Sequence, residues 1–213
     1  MICPDWCPVI VIGESLGATM ALRVAAGHPE SVSGVIISGP PARINPLMFF
    51  YPSNMWQGIL AVLVSPRGHM KLTAFMTKLV SNNKLIGQEM LDDPLVAKKL
   101  TIFELLKTQA FCGKTVKYAR GLAPDTPLLI LQGSQDYCVV PDAIVKIAKK
   151  VRSADQTMRW LGNHGHLLLE TNYIRAQTVN ALVDWADEID PAHKLELEAM
   201  QQLIRKLGGK SED

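Results

Sequence analysis

The pentapeptide Gly13-Glu14-Ser15-Leu16-Gly17 constrains the fold of this chain more than any other feature, because of the segments on either side. The apolar run 9–12 directly precedes it, and a stretch with helical character follows it. A serine between two glycines in such a strand-to-helix turn sits on a sharp, strained backbone that exposes its hydroxyl group. Glycine is expected at both ends because a Cβ at either position would collide with the neighbouring element. Ser15 is therefore a candidate nucleophile on an α/β scaffold.

A serine nucleophile needs a histidine base and a carboxylate that orients this base. The apolar run 128–131 is typical of a buried strand, and the polar loop after it ends at Asp136. A later loop contains His164 and His166, and either is a candidate base. Asp142 is the reserve acid, although its place after a proline favours a helix cap. Serine, acid and histidine follow one another in the order that α/β-hydrolases use.

Three segments carry a resemblance to one group of this superfamily. Residues 9–40 contain the serine turn, residues 126–141 the acid loop, and residues 162–170 the histidine loop. Together they resemble α/β-hydrolases of the monoacylglycerol lipase and lysophospholipase type, the serine aminopeptidase S33 group. The resemblance covers roughly residues 8–188. It implies the α/β-hydrolase fold, a mostly parallel sheet flanked by helices, with a helical cap inserted between two strands.

The resemblance also implies which residues act. Catalytic histidines of the group follow a glycine and precede an apolar run, which fits His166 and leaves His164 as the reserve base. The acid of the group lies three residues past a loop glycine, which fits Asp136. Together with Ser15 these residues would form a Ser-His-Asp triad. The backbone N–H of Leu16 would help to hold the oxyanion.

The activity implied is that of a carboxylic ester hydrolase that works through an acyl-enzyme. Monoacylglycerols or lysophospholipid-like acyl esters are the expected small-molecule substrates. We expect no metal and no organic cofactor, because the triad chemistry requires neither. Two alternatives stay open. One is an aminopeptidase or thioesterase of the same fold, and the other is a non-catalytic relative that acts as a binding protein.

The chain departs from the group at its start, because the serine turn already begins at residue 13. Members of the group carry further strands ahead of this turn, with a His-Gly motif whose following N–H completes the oxyanion hole. We therefore expect an N-terminally truncated fold, arising from a fragment, a mispredicted start or a shortened relative. Loss of one oxyanion donor costs on the order of a hundred- to a thousandfold in rate, so we expect impaired activity.

Composition favours a single globular domain with an insertion, since 48% of the 213 residues are hydrophobic. The net charge is only +2, and acidic and basic residues are interspersed, so no nucleic-acid partner is expected. The four cysteines lack the spacing of zinc ligands, and no leader sequence is recognisable. We therefore expect reduced thiols and a cytoplasmic protein, with membrane association as an option. The cysteines are Cys3, Cys7, Cys112 and Cys138.

Short apolar runs alternate with helical patterns, which predicts a parallel sheet covered on both faces. Strands are expected at residues 9–12, 34–38, 128–131 and 157–161, and helices at residues 16–26, 142–151 and 174–189. The expected organisation is a hydrolase core (1–40 and 122–190), a helical cap or lid (41–121) and a C-terminal amphipathic helix and tail (191–213).

The cap and the tail carry the expectations about partners. Residues 44–64 are rich in methionine and aromatic side chains, but polar residues and prolines interrupt them, so they do not form a spanning helix. They fit an acyl pocket or a lid that touches a membrane surface; the alternative is simple packing of the cap on the core. In the tail, Leu197, Met200, Ile204 and Leu207 share one helical face. This face would dock on the chain itself, shield the sheet edge, or form a homodimer.

Overall fold

The computed structural model describes residues 8–42, 69–169 and 171–189. In chain order the strands are β1 (Ile10–Glu14), β2 (Gly34–Ser38), β3 (His69–Lys71), β4 (Lys99–Thr101), β5 (Leu128–Gly133) and β6 (Gln156–Leu161). The helices are α1 (Leu16–Gly27), α2 (Thr73–Lys78), α3 (Lys84–Asp92), α4 (Ile102–Cys112), α5 (Thr115–Ala119), α6 (Pro141–Ala148) and α7 (Ala176–Ile189). The chain divides into two compact units, Met1–Arg175 and Ala176–Asp213. The first unit contains the sheets, and the second contains α7.

A parallel sheet of the order β1-β2-β5-β6 forms the centre of the first unit. The two inner strands are apolar along most of their length and buried at every position. Continuous burial of this kind is typical of parallel strands that are covered on both faces. Because all four strands run in the same direction, their carboxyl ends meet at one edge of the sheet. The loops after β1, β5 and β6 therefore leave the sheet on the same side.

Helix α1 covers one face of the sheet with small and apolar residues at helical spacing. Ala18, Leu22 and Ala25 are buried against the core and belong to the same hydrophobic cluster as strand β2. The buried hydroxyl group of Thr19 lies 2.6 Å from that of Thr115 at the start of α5. These contacts hold the first helix between the sheet and the segment that precedes β5.

Between β2 and β5 the chain forms short elements of mixed type. Strands β3 and β4 pair as an antiparallel ladder of three residues each. Helix α3 is capped by the side chain of Asn83, which accepts a hydrogen bond from the backbone N–H of Leu85. Helix α4 begins with a capping box formed by Thr101 and Glu104. Local capping thus stabilises helices that expose much of their surface.

The sequence predicted the elements of the sheet closely. The strand at 34–38 has the predicted bounds, and the other strands and helices of the core lie within a few residues of theirs. The first strand was predicted at 9–12, but it runs from Ile10 to Glu14 because Gly13 and Glu14 pair with β2. The β3–β4 ladder was not predicted. The domain boundaries proposed from the sequence stay a prediction.

Several expectations concern residues outside the described ones, namely the apolar stretch 44–64, Cys3, Cys7 and the tail 191–213. Cys112 and Cys138 are buried free thiols. Burial raises the pKa of the Cys112 thiol to about 11, so this sulfur is protonated at neutral pH. Within the described ranges, no helix combines the length and apolar character that a membrane crossing requires.

Candidate active site

The turn between β1 and α1 places Ser15 at the carboxyl edge of the sheet in a strained backbone conformation. Its φ is 53° and its ψ is −118°, values that a residue with a side chain rarely adopts. The backbone N–H of Ser15 donates to the carbonyl of Ser38 at 2.8 Å, which fixes the turn to β2. A Cβ on Gly13 would overlap the carbonyl of Gly17, so glycine is required there.

The second glycine of the motif, Gly17, is under no such steric constraint. A Cβ on Gly17 would meet no atom within 4 Å, so the expected collision at this position is wrong. Gly17 lies in the first turn of α1 with open space beside it, whereas Gly13 faces that turn from the end of the strand. The steric demand of the motif falls on its first glycine alone.

The loop after β6 carries His166 to the same edge. The backbone N–H groups of His166 and Leu167 donate to the carbonyl of Val80, at 2.8 and 3.3 Å. The imidazole packs against Gly39, whose φ is +50°; a Cβ there would lie 2.9 Å from the ring carbon Cε1. The histidine loop is thus held from one side by the segment between α2 and α3, and from the other by the end of β2.

Ser15, His166 and Asp136 form a continuous hydrogen-bonded relay. His166 Nε2 lies 2.8 Å from Ser15 Oγ, and His166 Nδ1 lies 2.8 Å from Asp136 Oδ2. The serine and histidine are 151 positions apart in the sequence, and the histidine and aspartate are 30 apart. The structure therefore brings together the three residues that the sequence nominated.

The carboxylate of Asp136 is nearly inaccessible, with 1% of its side chain exposed. One oxygen accepts hydrogen bonds from the backbone N–H groups of Cys138 and Val139, and the other from Gln132 Nε2. Burial acts to raise the pKa of Asp136, but the hydrogen bond and charge of His166 and the other donors outweigh it, so the pKa is lowered. Asp136 is thus held as an acceptor for the imidazole N–H.

The reserve residues take other places. The Nδ1 atom of His164 lies 2.7 Å from the carbonyl of Gly162, and its Nε2 is buried without a partner among the described residues. Asp142 lies exposed in the first turn of α6, where Val140 is the N-cap, so the expected capping role is wrong. His166 and Asp136, rather than this pair, are linked to Ser15.

Asp136, Cys138 and His166 are the only described residues clustered closely enough to suggest a metal centre, with ligand atoms within 4.8 Å of one another. These atoms are already engaged. The imidazole bonds to the carboxylate, and the Cys138 thiol donates to the carbonyl of Leu79. Burial, followed by the nearby Asp136 charge, raises the pKa of the Cys138 thiol, which disfavours the thiolate that metals bind. The cluster fits proton transfer better than metal binding.

A cavity of about 360 Å³ opens beside Ser15 and His166. Its other described lining residues are mostly apolar and come from β1, α1, α3, the segment between α2 and α3, and the histidine loop: Glu14, Leu16, Gly17, Met20, Val80, Met90 and Leu167. Leu16 is the first residue of α1, so its backbone N–H has no acceptor within the helix and carries the positive end of the helix dipole. The site thus combines a hydroxyl group, a base, an N–H donor and an apolar wall.

Some residues of the site were not identified as such from the sequence. Gln132 donates to the acid, Gly39 makes room for the imidazole, and Val80 holds the histidine loop. Gln132 had a signal, since it is a polar residue at the end of an apolar strand and four positions before Asp136. No sequence pattern marks Val80, because it acts through its backbone carbonyl, which every residue type has.

The sequence profile of the serine aminopeptidase S33 family matches residues 4–172 of the chain. Three similar solved structures are a monoglyceride lipase of Saccharomyces cerevisiae (23% identity, TM-score 0.70), a monoacylglycerol lipase of Paleococcus ferrophilus (19%, 0.63) and a carboxyl esterase of Bacillus coagulans (16%, 0.65). They match 87%, 86% and 86% of this chain, which covers 63%, 69% and 66% of theirs. No curated protein matches the sequence significantly. At these identities the structures show a shared fold, and the chain spans about two thirds of their length.

Proposed function

Since the chain belongs to the serine aminopeptidase S33 family of α/β-hydrolases, we propose that it hydrolyses carboxylic esters through Ser15, His166 and Asp136. The observation that carries this proposal is the relay of two 2.8 Å hydrogen bonds from the serine hydroxyl to the buried carboxylate. A nucleophile, a base within hydrogen-bond reach and a third group that orients the base are the requirements for acyl transfer.

The reaction begins when His166 Nε2 accepts the proton of Ser15 as its oxygen attacks the ester carbonyl. Asp136 accepts a hydrogen bond from the Nδ1–H group of the imidazole, which keeps the lone pair of Nε2 toward the serine and stabilises the imidazolium. The backbone N–H of Leu16 donates to the oxyanion. The bond to the alkoxy oxygen breaks, and the leaving alcohol takes the proton from His166. His166 then accepts a proton from water as this attacks the acyl carbon, the bond to Ser15 Oγ breaks, the carboxylic acid leaves, and His166 returns the proton to the serine.

Long acyl esters, such as monoacylglycerols or lysophospholipid-like lipids, are the substrates we propose. Support comes from the cavity beside Ser15, whose wall includes Met20, Val80, Met90 and Leu167. Thioether and aliphatic side chains adapt to a flexible apolar chain. Two of the similar structures are lipases of monoacylglycerols, which agrees with this substrate class.

An aminopeptidase activity is the alternative that the family name raises. A free amino terminus would need a counter-charge near the nucleophile. Among the described residues, Glu14 is the only acidic one that lines the cavity, and its carboxylate already accepts hydrogen bonds from Ser38, Leu168 and Leu169. This arrangement favours an acyl chain over an ammonium group.

A substrate panel tests the proposal. Purified protein is given short- and long-chain monoacylglycerols, an acyl thioester and an aminoacyl arylamide, and the released products are quantified. We expect turnover of the monoacylglycerols, loss of turnover in Ser15→Ala, and retention in Ser31→Ala, which removes an exposed hydroxyl group elsewhere. Turnover of the arylamide alone would favour the aminopeptidase. No turnover by folded protein of any substrate would favour a binding role.

A further inference from the structure

Glu14 is a buried carboxylate next to the nucleophile in sequence, and only 3% of the residue is exposed. One of its oxygens, Oε1, accepts hydrogen bonds both from the hydroxyl group of Ser38 at 2.6 Å and from the backbone N–H of Leu168 at 2.8 Å. The N–H of Leu169 lies 3.2 Å from one oxygen and 3.1 Å from the other. Burial of a carboxylate is costly unless donors compensate for the lost water, and here they come from two other segments.

The three segments that meet at Glu14 are those whose relative position sets the relay. Glu14 itself is bonded covalently to Ser15. Ser38 precedes Gly39, against which the imidazole packs, and Leu168 follows His166 by two residues. A displacement of the histidine loop away from Glu14 would therefore lengthen the distance between His166 Nε2 and Ser15 Oγ.

We propose that Glu14 is a positioning residue, which ties the histidine loop to the serine turn and so holds the base within hydrogen-bond distance of the nucleophile. This role rests on the function proposed above. Misplacement of reacting groups by about 1 Å can cost on the order of a hundredfold in rate, so a carboxylate that fixes this distance has a direct kinetic effect.

The decisive variant is Glu14→Gln. A glutamine side chain has nearly the same shape, but its NH₂ group cannot accept a hydrogen bond. The carboxylate accepts hydrogen bonds from Ser38, Leu168 and Leu169. In the variant, the NH₂ group of the glutamine would face at least one of these donors with a donor of its own, so at least one hydrogen bond would be lost. The matched control is Glu89→Gln in α3. Glu89 accepts hydrogen bonds from Thr171 and Asn172, so it holds the same stretch of chain a few residues farther from His166.

The experiment measures the rate of labelling by a fluorophosphonate probe, together with amide hydrogen exchange, in the wild type, Ser15→Ala, Glu14→Gln and Glu89→Gln. We expect Glu14→Gln to slow labelling by about tenfold to a hundredfold and to speed exchange at Leu168 and Leu169. Glu89→Gln should keep the wild-type rate of labelling and speed exchange at Asn172. Equal labelling of Glu14→Gln and the wild type would overturn the positioning role.

A kinetic separation distinguishes positioning from substrate contact, because Glu14 also lines the cavity. With p-nitrophenyl esters of short and medium chain length, loss of positioning lowers kcat by the same factor for both and leaves KM unchanged. A rise in KM for the longer ester alone would mean that Glu14 contacts the acyl chain, which would also overturn the proposal.

Two further arms keep the outcomes separate. If the wild type is not labelled at all, both the proposed function and the positioning role of Glu14 are wrong. If Ser15→Ala loses labelling but Glu14→Gln is labelled as fast as the wild type, the proposed function stands and the positioning role is wrong. If Glu14→Gln does not fold, Ser38→Ala decides, since it removes one donor and leaves the backbone donors in place. We expect Ser38→Ala to slow labelling, and an unchanged rate would contradict the role.

Discussion

The parallel sheet and the segment between β2 and β5 contribute to the site in different ways. The sheet supplies the side chains of the relay at the ends of β1, β5 and β6, and its inner strands are buried at every position. The described part of the inserted segment, residues 69–121, is built of short elements with exposed apolar side chains, such as Phe103 at 60% and Leu106 at 62%. It contributes to the relay through backbone and amide contacts around Val80 and Asn82. The buried sheet therefore holds the reactive groups, while the inserted segment fixes the loops that carry them.

The largest effect on activity is expected from a change of the acid, Asp136, which follows strand β5 of the sheet. Asp136→Asn keeps the shape of the side chain but offers an amide donor to the imidazole, which favours the wrong tautomer. We expect kcat for ester hydrolysis to fall on the order of ten-thousandfold. Asp142→Asn, at the exposed reserve position, is the control and should leave kcat unchanged. If Asp142→Asn were the more damaging variant, the assignment of the acid would be wrong.

The next largest effect, on both stability and kcat, is expected from alanine substitutions at the two glycines of the serine turn. In Gly13→Ala the new methyl group overlaps the carbonyl of Gly17, so we expect a loss of about 1–3 kcal/mol in the free energy of unfolding and of about a hundredfold in kcat. In Gly17→Ala the methyl group enters open space within a helix, which favours alanine by about 1 kcal/mol. Urea unfolding and ester hydrolysis compare the two. Similar losses in both would contradict the geometry of the turn.

A smaller effect on stability and kcat is expected from a substitution in the segment between β2 and β5. Asn82 Nδ2 donates to Gln135 Oε1 at 2.5 Å and to the carbonyl of Asn163 at 3.2 Å, which joins the insertion to the acid and histidine loops. Asn82→Ala should lower the free energy of unfolding by about 1 kcal/mol and kcat by about tenfold. Asn83→Ala removes the cap of α3, so it should cost about the same stability and leave kcat unchanged. Equal kcat values in the two variants would mean that the insertion does not influence the relay.

The smallest effect is a pH dependence of stability. Because the pKa of Asp136 is lowered in the folded state from its usual value of 3.8, its ionised form favours folding. This contribution is complete above the usual value and is lost as the pH falls through the lowered one. The difference in free energy of unfolding between wild type and Asp136→Asn should shrink as the pH falls below about pH 4. A difference that changes most near neutral pH would point to another group.

The sheet was predictable because continuous apolar runs have few alternatives to a buried parallel strand. The nomination of Ser15 and Asp136 followed from their places after such runs, and the choice of His166 over His164 followed from the resemblance to the S33 group; the structure brings the three together. Their catalytic roles stay a prediction. The expectation for Gly17 was wrong because the motif alone does not tell which glycine faces the opposing backbone.

The inserted segment was less predictable for a physical reason. The β3–β4 ladder has three residues a strand and includes Lys71 and Lys99, so it has no apolar alternation to reveal it. Its support of the histidine loop comes from the carbonyl of Val80, and any residue type provides a carbonyl. Contacts of this kind become visible only once the chain is folded.

The most direct test of the central claim is to find where a fluorophosphonate probe attaches. Labelled protein is digested, and the peptides are mapped by mass spectrometry, with His166→Ala and His28→Ala in parallel; His28 is an exposed histidine away from the relay. The account predicts a single adduct on the peptide that contains Ser15, greatly slowed in His166→Ala and unchanged in His28→Ala. An adduct on another serine, or none on folded protein, would contradict it.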